Sequence, residues 1–414
     1  MIDLKHGWEI KQLKEIGIAQ TGTTPKTSEK ENFGDFIPFI KPADVDFLGG
    51  GKIRYDNDGL SEVGLKKGRK MERGSILMVC IGATIGKVGL SEMDVSCNQQ
   101  INSLKVKKEF DPKFIYYAMT TKNFQDNVFL EGKGAQATLP IINKSKWENL
   151  TISYPKSLPE QQRIVFLLDE AFAAIAKAKA NAEQNLKNTK ELFESYLQRV
   201  FENKGEDWEE KTLAESFQIK PPKKEAKDKL SESDLVSFLP MEDLGVLNKE
   251  IKYVKERFLK DVSGSYTYFA NNDVLLAKIT PCFENGKIGI ARNLKNGIGF
   301  GSSEYIVFRS DGSVIPDYLY YFLARQRFRV EGAERMSGAV GHKRVSKDWI
   351  EGYLFPFPKS LKEQQTIVQK LEALNAETKK LETIYQQKIN DLEELKKSIL
   401  QKAFSGELTA REVV

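Results

Sequence analysis

Two groups of polar side chains stand in loops between short apolar runs. The first is uncharged: Thr21, Gly22, Thr23 and Thr24, the run Asn98-Gln99-Gln100, Gln136 with Thr138, and the pair Ser302-Ser303. Asn and Gln pair bidentately with an adenine edge, and Ser or Thr hydroxyls meet any base edge, so these residue types suit readout of a duplex. The second group is cationic: Lys26, Lys87, Lys223, Lys224, Lys278, Lys287 and the run Gly341-His342-Lys343-Arg344. A glycine-rich loop ending in lysine, such as Gly82-Ala83-Thr84-Ile85-Gly86-Lys87, offers N–H groups and a charge to phosphates. That contact positions a nucleic acid without reading it. For each of these residues taken singly, a buried or solvated turn position is the plain alternative. The run Lys66-Lys67-Gly68-Arg69-Lys70 reads as a solvated face.

Enzymatic patterns are not met. Three cysteines (Cys80, Cys97, Cys282) and two histidines (His6, His342) show neither CxxC nor Cys/His ligand spacing, so no metal site or disulfide framework is expected. Phe47-Leu48-Gly49-Gly50-Gly51 resembles a methyltransferase cofactor loop, yet no Asn-Pro-Pro-aromatic motif accompanies it. Gly132-Lys133-Gly134-Ala135-Gln136-Ala137 fits G-x-G-x-x-A without the strand–turn–helix context that pattern needs. Pro316-Asp317 has no D/E-x-K of the nuclease kind within the next forty residues. These residues describe a binder with no cofactor and no active site of its own.

The elements that must hold the loops are duplicated. Trp8-Glu9-Ile10-Lys11-Gln12-Leu13 recurs 200 residues on as Trp208-Glu209-Glu210-Lys211-Thr212-Leu213. Gly86-Lys87-Val88-Gly89 recurs as Gly286-Lys287-Ile288-Gly289, and Ile115-Tyr116-Tyr117 as Leu319-Tyr320-Tyr321. Ser157-Leu158-Pro159-Glu160-Gln161-Gln162 recurs as Ser360-Leu361-Lys362-Glu363-Gln364-Gln365. Ordered matches at offsets near 200 mean two copies of one unit. Between the anchors the copies diverge: Gly22–Lys26 faces Lys220–Lys224, and Asn98-Gln99-Gln100 faces Gly301-Ser302-Ser303. Each copy alternates short β-like runs with Gly-rich or polar loops, which predicts two mixed α/β (α+β) modules.

Each module is followed by a helix of about 40 residues, spanning roughly 60 Å. Apolar or small residues recur in steps of three and four, from Ile164 to Val200 and from Ile367 to Ile399, which marks a coiled-coil seam. A single helix of that length cannot hide such a stripe, so an antiparallel pair is expected. The alternative is that each helix packs on its own module. The expected boundaries are 1–157 and 206–359 for the modules, and 158–205 and 360–414 for the helices.

Charge follows the same division. The net charge is +5, and the modules hold all of it: 23 basic against 19 acidic residues in 1–157, and 24 against 23 in 206–359. The helical segments are neutral. Excess cations where phosphates would be met permit nucleic-acid binding. With no targeting signal and no apolar run near 18 residues, a cytoplasmic protein without a membrane partner is expected.

At this point the chain resembles the specificity subunits of type I restriction-modification enzymes. The resemblance runs along essentially the whole chain. It is carried by the Thr21–Lys26 loop with Ile37-Pro38-Phe39-Ile40-Lys41-Pro42-Ala43-Asp44-Val45, by Gly82–Gly89 and Gly134–Pro140, and by the Glu-Gln-Gln start of each helix. It implies two target-recognition domains, each reading one half of a split double-stranded DNA site. It also implies two modification subunits docked along the helices and two restriction subunits, with methylation and cleavage belonging to those partners. The sequence departs from the family pattern in its second half, where Lys220-Pro221-Pro222-Lys223-Lys224 replaces the Gly-Thr-Pro loop. A coiled-coil scaffold with protein-binding ends and a self-sufficient methyltransferase remain the alternatives.

Overall fold

The computed structural model describes residues 7–46, 52–132, 139–252, 255–339 and 341–407. They fall into two compact units that do not follow chain order. One takes the chain up to Ala182 together with everything from Gln387 on; the other is Glu183–Gln386. Each unit is one copy of the same α/β module with part of both long helices, Leu158–Glu202 and Leu361–Phe404. No helix among the described residues is long and apolar enough to cross a membrane.

In the first unit, strand Trp8–Gln12 pairs antiparallel with Thr151–Pro155, Trp8 opposite Pro155. The chain therefore leaves the module beside its starting strand. An antiparallel sheet follows the order Gly17–Thr21, Ile101–Val106, Ile76–Val79, Val88–Leu90. A second sheet, in the order Gly59–Leu60, Phe33–Ile40, Val95–Cys97, Lys70–Met71, contains one parallel pair, Phe33–Ile40 with Val95–Cys97. The uninterrupted apolar run Ile76–Val79 reflects burial of both strand faces. Ile76 and Met78 enter a core with Phe114 and Ile164, whereas Leu77 and Val79 enter another with Ile40, Val95 and Cys97.

The second unit repeats this strand for strand. Trp208–Thr212 pairs with Leu354–Pro358. The sheets run Phe217–Ile219, Tyr305–Ser310, Val274–Ala277, Ile288–Ile290, and Lys255–Phe258, Leu235–Leu239, Ile298–Gly301, Thr267–Ala270. The parallel pair recurs as Leu235–Leu239 with Ile298–Gly301. Val274 and Leu276 again face one core, Leu275 and Ala277 the other.

The Glu-Gln-Gln signature has a specific role. Gln161 is fully buried. Its Nε2 donates to the Pro155 carbonyl at 3.0 Å, and its Oε1 accepts from the backbone N–H of Asp111 at 2.8 Å. Asp111 caps helix Pro112–Thr120, so one amide joins the last strand, that helix and the start of the long helix. Gln364, equally buried, donates to the carbonyls of Pro358 (2.8 Å) and Ser313 (2.9 Å) and accepts from Ile315 N–H (2.9 Å). Ile315 precedes helix Pro316–Ala324, the counterpart of Pro112–Thr120.

The long helices pair antiparallel. In the first unit Lys179 and Glu393 form an ion pair at 2.6 Å, the Lys396 ammonium lies 4.9 Å from the Phe172 ring, and Ala403 joins the core of Ile164 and Leu168. Numbers rise along one helix as they fall along the other. In the second unit Leu197 and Phe201 share a core with Val368 and Leu371. Each helix also packs on module cores, so the two expected arrangements coexist. Along the seam, Thr189, Thr378 and Ile389 are buried, but Leu381 and Leu395 face solvent. The inward positions of the second helix keep an unbroken seven-residue repeat through 368, 375, 382, 389 and 396, so Glu382 and Lys396 take the contact line and Leu381 and Leu395 fall one residue short of it.

Replacing Gln161 or Gln364 by Leu keeps the volume and strands buried backbone groups. Each substitution is expected to destabilise its unit by about 2–4 kcal/mol, read from urea denaturation against the parent chain. Burial also pushes the thiols of Cys80 and Cys97 up to about 12, whereas Cys282 is half-buried. Since the thiolate is the nucleophile, maleimide at pH 8 should label Cys282 in the native protein and reach Cys80 and Cys97 only in denaturant, as peptide mass mapping would show.

Candidate nucleic-acid interface

In the first module four loop segments converge at one end of the sheets. Strand Gly17–Thr21 continues through Gly22, whose N–H donates to the Ile101 carbonyl, and Thr23 N–H then reaches the Cys97 carbonyl, both at 2.9 Å. A Cβ on Gly22 would lie 2.1 Å from the Asn98 carbonyl oxygen and 2.3 Å from that of Cys97, so only glycine lets this loop lie against the next. The approach sets the Thr24 hydroxyl on the Gln99 side-chain oxygen, and Thr21 Oγ1 donates to Asn102 Oδ1 at 2.8 Å. Asn98 is buried, its Nδ2 donating to Gln100 Oε1 at 3.0 Å and its Oδ1 accepting from Gln100 N–H at 3.1 Å. Gln99 is exposed. The Gln100 carbonyl accepts from Cys80 N–H at 2.8 Å, and Gly82 N–H donates to the Pro140 carbonyl at 3.0 Å, which adds the Gly82 loop and the Pro140 segment. Lys26 projects into solvent beside Glu29, 3.7 Å away. Gln136 and Thr138 lie outside the described residues.

The second module builds the same place from ions. Lys278 N–H donates to the Glu304 carbonyl at 3.0 Å, and its ammonium reaches the Ser303 carbonyl at 3.0 Å. Arg344 grips the Glu304 carboxylate with two bonds, Nε to Oε2 at 2.9 Å and Nη2 to Oε1 at 2.7 Å, and its Nη1 donates to the His342 carbonyl at 3.1 Å. The guanidinium, with Lys278 nearby, holds the Glu304 carboxyl below its ordinary range. Lys343 accepts from Thr280 N–H at 2.9 Å, and His342 and Lys343 are exposed. Ser302 Oγ accepts from Glu304 N–H at 3.2 Å, so Lys278, Ser302, Ser303, His342, Lys343 and Arg344 form one group.

Backbone bonds correct the register of the comparison between copies. Asn98 N–H meets the Ile40 carbonyl as Ser302 N–H meets that of Leu239, while Cys80 pairs with Gln100 as Lys278 pairs with Glu304. Asn98-Gln99-Gln100 therefore matches Ser302-Ser303-Glu304, one residue later than the alignment with Gly301-Ser302-Ser303. The Gly82–Gly86 loop corresponds to Thr280–Gly286, two residues longer, so a constant offset fails across it. The stretch Leu90–Cys97 corresponds to Ile290–Gly301, four residues longer, and Glu304 was missed for that reason. Its signal was available: a polar residue immediately before the strand start in both copies.

The loop lysines divide. Lys87 donates to the Pro42 carbonyl at 3.2 Å and Lys287 to the Met241 carbonyl at 2.7 Å, so both tie their loop to the same short helical turn. Lys223 bonds the Gly264 carbonyl and Lys224 opens the exposed helix Lys224–Lys229. At Lys220 the backbone takes a positive φ of 58°. There the strand ends two residues short of the position matching Gly22, and no counterpart of the Gly22–Lys26 loop forms. Among the described residues no group of three or more His, Cys, Asp or Glu is placed to hold a metal.

Comparison with known proteins accounts for the duplication. The family described as the type I restriction modification DNA specificity domain matches residues 5–187 and again 205–394. The specificity subunit of the type I restriction enzyme EcoAI of Escherichia coli is 36% identical over 197 residues, covering 47% of this chain and 32% of that protein. Here the chain spans about a third of its relative's length. The StySPI specificity subunit of Salmonella potsdam is 23% identical along 99% of this chain and 90% of its own. Among solved structures, the HsdS subunit from Thermoanaerobacter tengcongensis shares the fold with a TM-score of 0.61 at 18% identity, over 97% of both chains. A chain from a study of complex assembly in a type I R-M system superposes with a TM-score of 0.75 at 17% identity, over 98% of this chain and all of that one. With two matched copies spanning most of its length, the chain belongs to the family of type I restriction modification DNA specificity domains.

Proposed function

We propose that this chain is the DNA-reading subunit of a type I restriction-modification complex and is itself non-catalytic. Residues 1–157 and 206–359 act as target-recognition domains, each reading one half of a bipartite double-stranded site. The segments 158–205 and 360–414, which carry the long helices, set the spacer and dock modification subunits, two per complex, to which two restriction subunits add. Methylation and cleavage are the work of those partners. The observation that carries this reading is the double family match, with a repeated scaffold and polar loops that do not repeat. A family of DNA specificity domains also favours DNA reading over the scaffold alternative.

The reading surface of the first domain is Thr21–Lys26 with Asn98–Gln100, Gln136 and Thr138, supported by Lys87. That of the second is Lys278, Ser302, Ser303 and His342–Arg344, with Lys223, Lys224 and Lys287 supplying charge or support. Exposed amides of the Gln99 kind suit adenine, whereas arginine suits guanine. The two halves of the site are therefore expected to differ.

Methylation mapping of DNA from cells that carry this chain with its neighbouring modification subunit tests the reading, and the expected result is a split motif. Exchanging residues 206–359 for those of a relative should change one half-site only; a change in both would overturn the independence of the domains. Gln99→Ala and Arg344→Ala should each relax a single position, in opposite halves, at a cost of about 1–3 kcal/mol of discrimination. Inserting one heptad in each helix, roughly 10 Å, should lengthen the tolerated spacer by about three base pairs at ~3.4 Å each.

A further inference from the structure

A cleft of about 560 Å³ in the second unit lies away from the candidate reading surface. Its walls include Phe201, Phe322, Trp349, Tyr353 and Leu354, and Arg325 lines it. Arg325 occupies the break between helices Pro316–Ala324 and Gln326–Glu334 and is only 5% exposed. Its Nε donates to the Phe322 carbonyl at 2.8 Å, and its guanidinium lies 3.8 Å from the centre of the Phe322 ring and 5.1 Å from that of Phe201. Both rings therefore lie against the cation. Among the described residues neither terminal amino group has a carboxylate or carbonyl partner.

The other lining cations are matched. Arg327 pairs with Glu202 at 3.1 Å and with Glu331 at 2.7 Å, and Lys204 pairs with Glu210. Burial lowers the pKa of Arg325 to about 10, the mark of a cation without its counter-ion. The first module shows that the backbone bond does not require a guanidinium. There the equivalent residue is Thr121, whose hydroxyl donates to the Ala118 carbonyl at 2.7 Å, the counterpart of the Phe322 carbonyl.

We propose that this cleft is a carboxylate site, in which the free edge of Arg325 receives a single carboxylate carried on an aromatic or apolar body. The planar fork of arginine matches a carboxylate, and the aromatic walls would cover the attached body. Glu202, Glu210 and Asp348 also line the cleft, so a dianionic phosphate would meet about twice the repulsion that a monocarboxylate meets. The ligand is either a free aryl carboxylic acid or the terminal carboxylate of a partner polypeptide ending in an aromatic residue.

Trp349, in the cleft wall, reports occupancy by fluorescence in the full-length chain, with Trp349→Phe as the signal control. Hydrocinnamate should quench it saturably and bind roughly tenfold or more tighter than acetate or inorganic phosphate, with a loss of similar size in Arg325→Met. Arg325→Lys keeps the charge without the fork and should fall between the two. Acetyl-Ala-Phe binding better than both its amide and hydrocinnamate assigns the site to a chain terminus; hydrocinnamate binding as well as the peptide assigns it to a small molecule. Saturable binding that is unchanged in both Arg325 variants would overturn the proposal. If neither variant folds, the parent chain decides alone: phosphate or acetate binding as tightly as hydrocinnamate, or no saturable quenching by any probe, overturns it.

Discussion

Two buried glutamine amides, Gln161 and Gln364, hold the places where strand, capped helix and long helix meet. A side-chain amide suits this junction because it donates and accepts at once. Each satisfies backbone groups from two other segments that would otherwise be buried without partners. The long helix thus starts at a set angle to its module. The neighbouring strand pairs, Trp8–Gln12 with Thr151–Pro155 and Trp208–Thr212 with Leu354–Pro358, keep the two ends of each module together.

On that base the copies hold one scaffold and two chemistries. The strand pairs, the double-faced runs Ile76–Val79 and Val274–Ala277, and the lysine ties of Lys87 and Lys287 are common to both. What varies sits where the loops emerge. Cys80, buried and neutral, stands where Lys278 reaches out, and Gln100 stands where Glu304 grips Arg344. Such exchanges alter donors, acceptors and charge at the surface while the backbone bonds beneath them persist.

Much of this was legible in the residues. The repeat, the two α/β modules, the paired helices and the hairpins around Gly82–Lys87 follow from ordered matches and periodicity, because these depend on local spacing and on which faces are apolar. The candidate site was legible in part. Asn98–Gln100 and His342–Arg344 do meet other polar loops, but Lys87 and Lys287 are turned inward, and Lys223 bonds a carbonyl on another loop. Composition marks a lysine as a cation; it does not say which carbonyl lies within its reach.

By itself, then, the sequence determined that there are two copies and that a Gln-marked helix follows each. It did so because hydrogen-bonding groups and apolar stripes at regular spacing are properties of the chain itself. Only the tertiary structure decided that each compact unit takes part of both helices, that Asn98 answers to Ser302 rather than Gly301, and that Arg325 is buried beside Phe201 and Phe322 with no carboxylate partner among the described residues. Those outcomes depend on contacts between residues far apart in the chain, and on loops whose lengths differ between copies, so no local pattern carries them.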